Sequence, residues 1–308
     1  LEAAQFLGFP IPTLCHMEGL SPYGACRLCV VEIGEGPRAK LVSSCTYPVE
    51  EGMKVRTATA RVVRARKVII ELLLATCPQS KTIQDIAAAH DVRQQRFKQE
   101  WEDCVLCGRC VQACNEVQVN NAIDFGYHSA ETKIVTPGDK PLKDSDCVFC
   151  GECVQACPVG ALVEKDARYQ VRPWETTKVK STCTYCGVGC QLYLHVRDNT
   201  VVKISGVEDM APNYGSLCVK GRFGYDFIHS PERLKTPLIR ENGTLREASW
   251  DEALDLVARK LGEIKSEHGA DSIGMLTSAR ISNEENYIAQ KFARAVLQTN
   301  NVDHCARL

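Results

Sequence analysis

The stretch "CVLCGRCVQACNEV", starting at Cys104, returns 43 residues later as "CVFCGECVQACPVG", starting at Cys147. Each copy reads CxxCxxCxxxC, within a chain of 308 residues that holds 18 cysteines, most of them in tight groups. Thiolates at such spacing reach one metal ion or one cluster, whereas disulfide frameworks belong to short secreted chains. Two further groups follow the same logic. Cys15, Cys26, Cys29 and Cys45 combine a CxxC pair with two flanking thiols, and "CTYCGVGC" from Cys183 is closed by Cys218 after 27 further residues. Zinc sites typically use two separated pairs, so a triplet plus one points to iron–sulfur chemistry and electron transfer. Clustered thiols also need a reducing compartment, which favours the cytoplasm. Gly108 and Gly151 give each repeated loop the backbone freedom to wrap a cluster.

The repeated motif resembles that of bacterial two-cluster ferredoxins, in which three cysteines hold one cubane and the fourth reaches across to the other. On that resemblance Cys104, Cys107, Cys110 and Cys157 hold one 4Fe-4S cluster, and Cys147, Cys150, Cys153 and Cys114 hold the second. Pro158 follows the last cysteine of the second copy, while Asn115 stands at the matching place in the first. Residues 1 to 75, with "IPTLCH" and "GACRLCVVEI", resemble the N-terminal 2Fe-2S domain of the large subunits of respiratory NADH dehydrogenases, iron-only hydrogenases and NAD-linked formate dehydrogenases. The resemblance implies one 2Fe-2S cluster on Cys15, Cys26, Cys29 and Cys45, and a β-hairpin that would precede Leu1. Gly24 and Ala25 leave space for backbone amides to approach the sulfurs. Several relatives carry a further HxxxCxxCxxxxxC motif. Only Cys77 and His90 stand in that region here, so this cluster is expected to be absent and Cys77 to be a buried or spare thiol.

The segment from "CTYCGVGC" to "GSLCVKGRFGYDFIHSPERLKTPLIR" closely resembles the N-terminal cluster domain of molybdopterin-guanine-dinucleotide oxidoreductases, formate dehydrogenases in particular. It implies a third 4Fe-4S cluster on Cys183, Cys186, Cys190 and Cys218, with Lys220 as an electron relay or pterin contact. The segment "SARISNEENYIAQKFARAVLQTNNVDHCARL" is similar to the same enzymes and places Ser278, Arg280 and Asn283 in the loop after a strand, where such folds bind ligands. Helix capping explains Ser282 and Asn283 equally well. Iron-only hydrogenases and NADH dehydrogenase large subunits share the front end but part company at "GSLCVKGR". The resemblance therefore implies the N-terminal iron–sulfur portion of a cytoplasmic formate dehydrogenase catalytic subunit. There formate is oxidised to CO2, or the reverse, at a Mo or W bis-molybdopterin guanine dinucleotide. Electrons pass through the clusters to a flavin/NAD diaphorase subunit, a ferredoxin or hydrogenase subunits. A stand-alone iron–sulfur electron-transfer module, or a fragment of an NADH dehydrogenase large subunit or iron-only hydrogenase, is the alternative.

The elements that must position these residues imply an α+β multidomain chain. The expected order is a 2Fe-2S ferredoxin-like domain (1–78), a helical linker (79–98), a bacterial-type twin 4Fe-4S ferredoxin domain (99–170), a 4Fe-4S molybdopterin-oxidoreductase domain (171–240) and the start of an α/β pterin-binding domain (241–308). Residues 56 to 75 read as a helix whose apolar face is Val62, Val63, Ala65, Ile69, Leu72 and Leu73, with Arg61, Arg64, Arg66 and Lys67 forming a solvated basic face. From Ser249 the pattern alternates: a helix opened by a Ser249–Glu252 capping box, "DSIGMLTS" as a short buried strand, and a second helix from Ser282. Lys and Arg (37) nearly balance Asp and Glu (38), so no strong field argues for nucleic acid. The longest apolar run, Val68 to Ala75, is too short to cross a bilayer.

In formate dehydrogenases the residue after the segment similar to "VDHCARL" is the metal-ligating cysteine or selenocysteine. Position 309 is therefore expected to carry that ligand, and Cys305 is not it. Selenocysteine is encoded by UGA, so the end at Leu308 is expected to mark that codon. Reading the gene past codon 308 checks this. UGA followed by an open frame starting with His is the expected result, and a sense codon for anything but cysteine counts against it.

Overall fold

The computed structural model describes residues 1–305. Position 309, the expected metal ligand, lies outside them. The chain forms two compact units, Leu1–Arg168 and a second from Tyr169 onward.

In the first unit a short helix α1 (Glu2–Phe6) precedes a three-stranded antiparallel sheet of β1 (Val30–Ile33), β2 (Lys40–Ser43) and β3 (Val55–Arg56), in the order β2-β1-β3. Val31 and Ile33 alternate inward to meet Leu1, Ile11 and Cys29. Helix α2 (Ala60–Thr76) starts four residues later than the sequence suggests, because Val55 and Arg56 pair with β1 instead. Thr59 caps it: its hydroxyl accepts from the Val62 N–H at 3.2 Å and donates to Glu32 Oε2 at 2.9 Å. The buried row runs Val62, Arg66, Ile70, one residue per turn, whereas Val63 and Leu72 are exposed. The apolar face is thus rotated from the expected one, and Arg66 lies inside it. Helix α3 (Lys81–Ala89) occupies the expected linker, and its Ile83 and Ala87 are buried against Leu14, Leu28, Ile70 and Cys77. That segment forms core as well as connection.

The rest of the unit is built on the repeat. Helix α4 (Arg109–Gln112), β4 (Asp124–Gly126), β5 (Lys133–Val135) and α5 (Glu152–Ala156) follow in order, with β4 and β5 antiparallel. Both copies bend alike. Leu106 and Phe149 have φ of 51° and 53°, and Gly108 and Gly151, at 80° and 75°, open the two helices from the left-handed region. The copies part at their fourth cysteine. Pro158 disfavours helical backbone at the residue before it, and Cys157 is extended (φ −70°, ψ 112°). Asn115 imposes no such restriction, and Cys114 stays within a π-helical turn, Ala113–Val117, that prolongs α4.

The second unit opens with an antiparallel meander, β6 (Thr177–Thr182), β7 (Gln191–Arg197) and β8 (Thr200–Gly206). Helix α6 (Val219–Phe223) and a hairpin of β9 (Leu238–Glu241) and β10 (Thr244–Glu247) follow. Asn242 and Gly243 turn that hairpin, both with positive φ. Helix α7 (Trp250–His268) leads to β11 (Met275–Thr277), α8 (Asn283–Phe292) and β12 (Val302–His304), and β12 pairs parallel to β11. This is a β-α-β crossover, the unit of a parallel α/β sheet. Two expectations are corrected here. The strand expected to be buried is not, since Leu276 is 86% exposed on a sheet of only two strands. The Ser249 hydroxyl caps α7 through the Glu252 N–H at 3.1 Å, but the Glu252 carboxylate is drawn to Arg246 at 2.5 Å instead of closing a box. The reciprocal box forms at α8, between Ser282 and Glu285.

If α3 is core, replacing Ile83, which is fully buried, with Ala removes packing and leaves a cavity. The variant is expected to lose about 2–5 kcal/mol of stability, against about ±0.5 for an exposed linker position. Denaturant unfolding of the two proteins measures the difference.

Candidate cluster sites

Two of the cysteine loops of the first site are held by apolar neighbours driven into the core: Leu14 beside Cys15, and Leu28 beside Cys29. With those anchors fixed, the four thiols sort into two pairs. The Cys26 thiol and the amides of Cys26, Ala25 and Gly24 hydrogen-bond to Cys15 and hold its pKa well below the ordinary thiol value, against burial. Cys26 is pushed up by its bond to Cys15 and by burial. Cys29 Sγ lies 3.3 Å from Cys45 Sγ, and burial, then Cys29, pushes Cys45 up to about 12. The space that Gly24 and Ala25 leave is thus filled by N–H groups aimed at sulfur, a feature that stabilises a thiolate bound to iron.

In the repeat, Cys104, Cys107, Cys110 and Cys157 line one cavity of about 750 Å³, together with Trp101 and Lys133. Burial pushes the Cys110 thiol up to about 12, with Cys107, Cys104, Cys153 and Cys157 adding to it. Cys104 and Cys107 are raised by burial and by Cys157. Across the repeat, burial pushes Cys153 up to about 12, with further pressure from Cys150, Cys147 and Cys114. So the structure brings Cys157 to the first triplet and Cys114 to the second. Backbone amides address both groups alike: Leu106 N lies 3.4 Å from Cys104 Sγ, Phe149 N 3.4 Å from Cys147 Sγ, and Ala122 N 3.3 Å from Cys114 Sγ. Cys77 is buried, and burial, then Cys104 and Asp103, pushes it up to about 12.

The third group lies in the second unit. Cys183 is raised by burial and then by Cys218 and Cys186, and Cys190 by burial and then by Cys183, Cys186 and Cys218, so the four thiols are electrostatic neighbours. Its frame includes residues that sequence reading passed over. Asn213 accepts from Gln191 N at 2.6 Å and donates to Gln191 O at 3.1 Å and Ser216 O at 2.9 Å, so it pins the loop before Cys218 to the start of β7. The Tyr185 hydroxyl donates to Gly224 O, and Tyr225 donates to Val202 O at 3.0 Å. Lys220 is exposed on α6, two places after Cys218.

Asn283 opens α8 and donates from Nδ2 to Gly187 O at 2.8 Å, between Cys186 and Cys190. A Cβ at Gly187 would come within 2.5 Å of its Oδ1, so any other residue there would push the Asn283 side chain aside. Ser278 Oγ accepts from Arg280 N at 3.0 Å, and Arg280 is exposed. Cys305 Sγ lies 3.7 Å from Ser278 Oγ, and its thiol is lowered by the Ala279 amide and then by Ser278. Ser278, Arg280 and Cys305 therefore gather beyond the carboxyl ends of β11 and β12, while Asn283 reaches the cluster loop.

Among the described residues no three His, Cys, Asp or Glu side chains close on a point fit for a single metal ion. In one group, Cys104, Cys107, Cys110 and Cys157, the thiols line a shared cavity. Buried thiols that raise one another cannot all ionise without positive charge between them, so the donor set fits iron–sulfur clusters.

Four family models match successive parts of the chain. Residues 1–60 match the 2Fe-2S iron-sulfur cluster binding domain, 74–161 the 4Fe-4S dicluster domain, 176–230 the molybdopterin oxidoreductase Fe4S4 domain, and 233–308 molybdopterin oxidoreductase. Residues 176–230 and 233–308 thus carry two segments of the molybdopterin oxidoreductase type, behind the 2Fe-2S and dicluster segments. The chain is 34% identical to "Putative formate dehydrogenase YrhE" of Bacillus subtilis, over 97% of this chain and 37% of that protein. It is 35% identical to the NADPH-Fe(3+) oxidoreductase subunit alpha of Geobacter sulfurreducens, over 100% of this chain and 38% of that one. The chain thus spans less than two fifths of the length of these relatives. A solved chain of an NAD+-reducing [NiFe]-hydrogenase in its H2-reduced state is 26% identical over 56% of this chain and 83% of that one, with a TM-score of 0.49.

The proximities carry a direct test. Replacing Cys157 with Ala is expected to disturb the cluster associated with Cys104, Cys107 and Cys110, which precede it by 47 to 53 residues. Electron paramagnetic resonance of the reduced, iron-loaded variant reads which cubane signal is lost. Loss confined to the signal of the Cys147, Cys150 and Cys153 site would contradict the arrangement.

Proposed function

We propose that the chain is the electron-transfer portion of a formate dehydrogenase catalytic subunit. The carrying observation is the Asn283–Gly187 hydrogen bond, which ties the loop between Cys186 and Cys190 to the first β-α-β turn of the molybdopterin oxidoreductase segment. A cluster at this loop would stand at the entrance to the pterin fold. The resemblance of the sequence to formate dehydrogenases, and the name borne by the Bacillus relative, support formate as the substrate of the complete protein.

The proposed ligand sets are Cys15, Cys26, Cys29 and Cys45 for one 2Fe-2S cluster; Cys104, Cys107, Cys110 and Cys157, and Cys147, Cys150, Cys153 and Cys114, for two 4Fe-4S clusters; and Cys183, Cys186, Cys190 and Cys218 for a third. When bound, these groups supply one-electron carriers, and the Mo or W bis-pterin supplies the two-electron oxidation of formate or its reverse. The chain's own residues hold the sulfurs, direct amides at them and exclude water from Cys15, Cys29, Cys107 and Cys110, all of which are buried. Lys220, exposed beside Cys218, presents its ammonium where a pterin would approach, as the resemblance implies. Ser278 and Arg280, at the carboxyl ends of the strands, are the proposed pterin contacts from the α/β segment, and Asn283 joins them through the cluster loop.

The Geobacter relative is an alpha subunit named for NADPH oxidation, which supports a pyridine-nucleotide-linked flavoprotein as partner; a ferredoxin or hydrogenase subunits are the other acceptors considered. None of the described helices is long and apolar enough to cross a membrane. The thiol groups suit a reducing compartment, and we place the protein in the cytoplasm on that ground.

Anaerobic reconstitution is expected to give about 14 irons per chain, from one 2Fe-2S and three 4Fe-4S clusters, with matching acid-labile sulfide. Iron, zinc and sulfide analysis of the purified chain measures this. Zinc at one ion per thiol group, with negligible sulfide, would end the electron-transfer reading.

A further inference from the structure

Arg66 lies at the middle of the buried row of α2, between Val62 and Ile70, and is 6% exposed. A guanidinium keeps its charge in proteins, so position 66 holds a permanent cation in the core. Its partners do not neutralise it. Nη2 donates to the Val30 carbonyl at 2.7 Å, Nε is buried with no hydrogen-bond partner, and no carboxylate of the described residues lies within ion-pair distance. The other charged groups near this face of α2 include Lys67, and both Arg66 and Lys67 hold the pKa of half-buried His90 down, after burial itself. Burial pulls on Arg66 as well, and the one group that opposes this is Cys29, the residue before Val30.

A buried charge without a counter-charge is strongly destabilising, so the fold must offer Arg66 an anion. The carbonyl that Arg66 holds belongs to Val30, the residue after Cys29, so the site of Cys15, Cys26, Cys29 and Cys45 is where such an anion would stand once it carries a cluster. We propose that Arg66 is the built-in counter-charge of the 2Fe-2S site and raises its reduction potential. The inference rests on the ligand reading given under Proposed function. A 2Fe-2S centre with four thiolates is anionic when oxidised and gains one further negative charge on reduction; the step adds one electron and no proton, because Arg66 is already protonated. A fixed cation beside it favours the reduced form more than the oxidised one. Arg66 is thus a positioning residue for the electron and not a ligand.

The test is a redox titration of the iron-loaded full chain, followed by electron paramagnetic resonance, on wild type, Arg66→Met and Arg66→Lys. In Arg66→Met the ratio of reduced to oxidised 2Fe-2S centre at a fixed potential is expected to fall at least tenfold, a negative shift of about 59 mV for a one-electron couple. Arg66→Lys, which keeps the charge, is expected to move it much less, and the cubane midpoints to stay in place in both. A 2Fe-2S midpoint unchanged in Arg66→Met, or shifted equally in Arg66→Lys, overturns the proposal while leaving the ligand reading intact. A wild-type chain with no 2Fe-2S signal overturns both. Should Arg66→Met fail to take up the centre, thermal unfolding of the iron-free chains decides. A counter-charge role predicts iron-free Arg66→Met to be at least as stable as iron-free wild type, because an unpaired buried charge has been removed. A less stable variant would instead assign Arg66 to holding Val30.

Discussion

A sulfur taken out of water must meet positive charge or hydrogen-bond donors, or it keeps its proton. Four sulfurs brought together meet this constraint at its strongest, because each ionised thiol makes the next harder to ionise. Cys110, buried, and Cys153, half-buried, both lie among other thiols and are pushed to about 12. Cys15 goes the other way because Cys26 and the amides of the Gly24–Cys26 turn address its sulfur. Much of the local structure answers this constraint. Amides of Leu106, Phe149 and Ala122 point at sulfur, and the left-handed backbone at Leu106, Gly108, Phe149 and Gly151 is what lets the loops curl far enough. Apolar anchors such as Leu14 and Leu28 then hold the sulfurs in place when iron is not there to do it.

The grouping of the thiols was open to inspection because it is written in local spacing. A CxxC step lets two sulfurs reach one metal or cluster once the loop curls, and a repeat of the step shows that two such units exist. Even the difference between the copies had a local cause. Pro158 keeps the residue before it extended, and Cys157 leaves its helix, whereas Cys114 remains in a helical turn before Asn115. The α/β start was legible for the same reason, from alternating helix and strand patterns that depend on neighbours in sequence.

What escaped was set by partners distant in the chain. Arg66 reads as part of a charged face because periodicity alone cannot tell which side of a helix with both apolar and basic rows will meet a core. The row Val62–Arg66–Ile70 won because β1 and α3 pack there. Glu252 reads as half of a capping box, but Arg246, six residues earlier and across a hairpin end, competes for its carboxylate. Asn213 is an ordinary polar residue in sequence, and Asn283 reads there as a ligand contact or a helix cap; each becomes a clamp only because Gln191 and Gly187 are carried to it by the fold. Leu276 misleads in the opposite sense, since an apolar strand is buried only when something covers it.

Within the first unit, the loop of the 2Fe-2S domain is locked to the first helix of the repeat. Gln112 Nε2 donates to Ser21 O at 2.5 Å, Ser21 N donates to Glu116 Oε2 at 2.7 Å, and Tyr23 stacks on Phe125 with ring centroids 5.9 Å apart. Gly108 leaves the room for that stack, as a Cβ there would sit 3.0 Å from the Tyr23 ring and 3.3 Å from Phe125. Arg109 completes the joint, reaching from the residue before Cys110 to the carbonyl of Leu14, the residue before Cys15, at 3.5 Å. Each contact leaves from a residue on, or close to, a cysteine-bearing loop. A change in spacing between the two thiol groups would therefore have to break several of these bonds at once. Electron transfer weakens steeply with distance, so a joint of this kind, made of side chains that do not touch the sulfurs, fixes the separation on which passage from one site to the next depends.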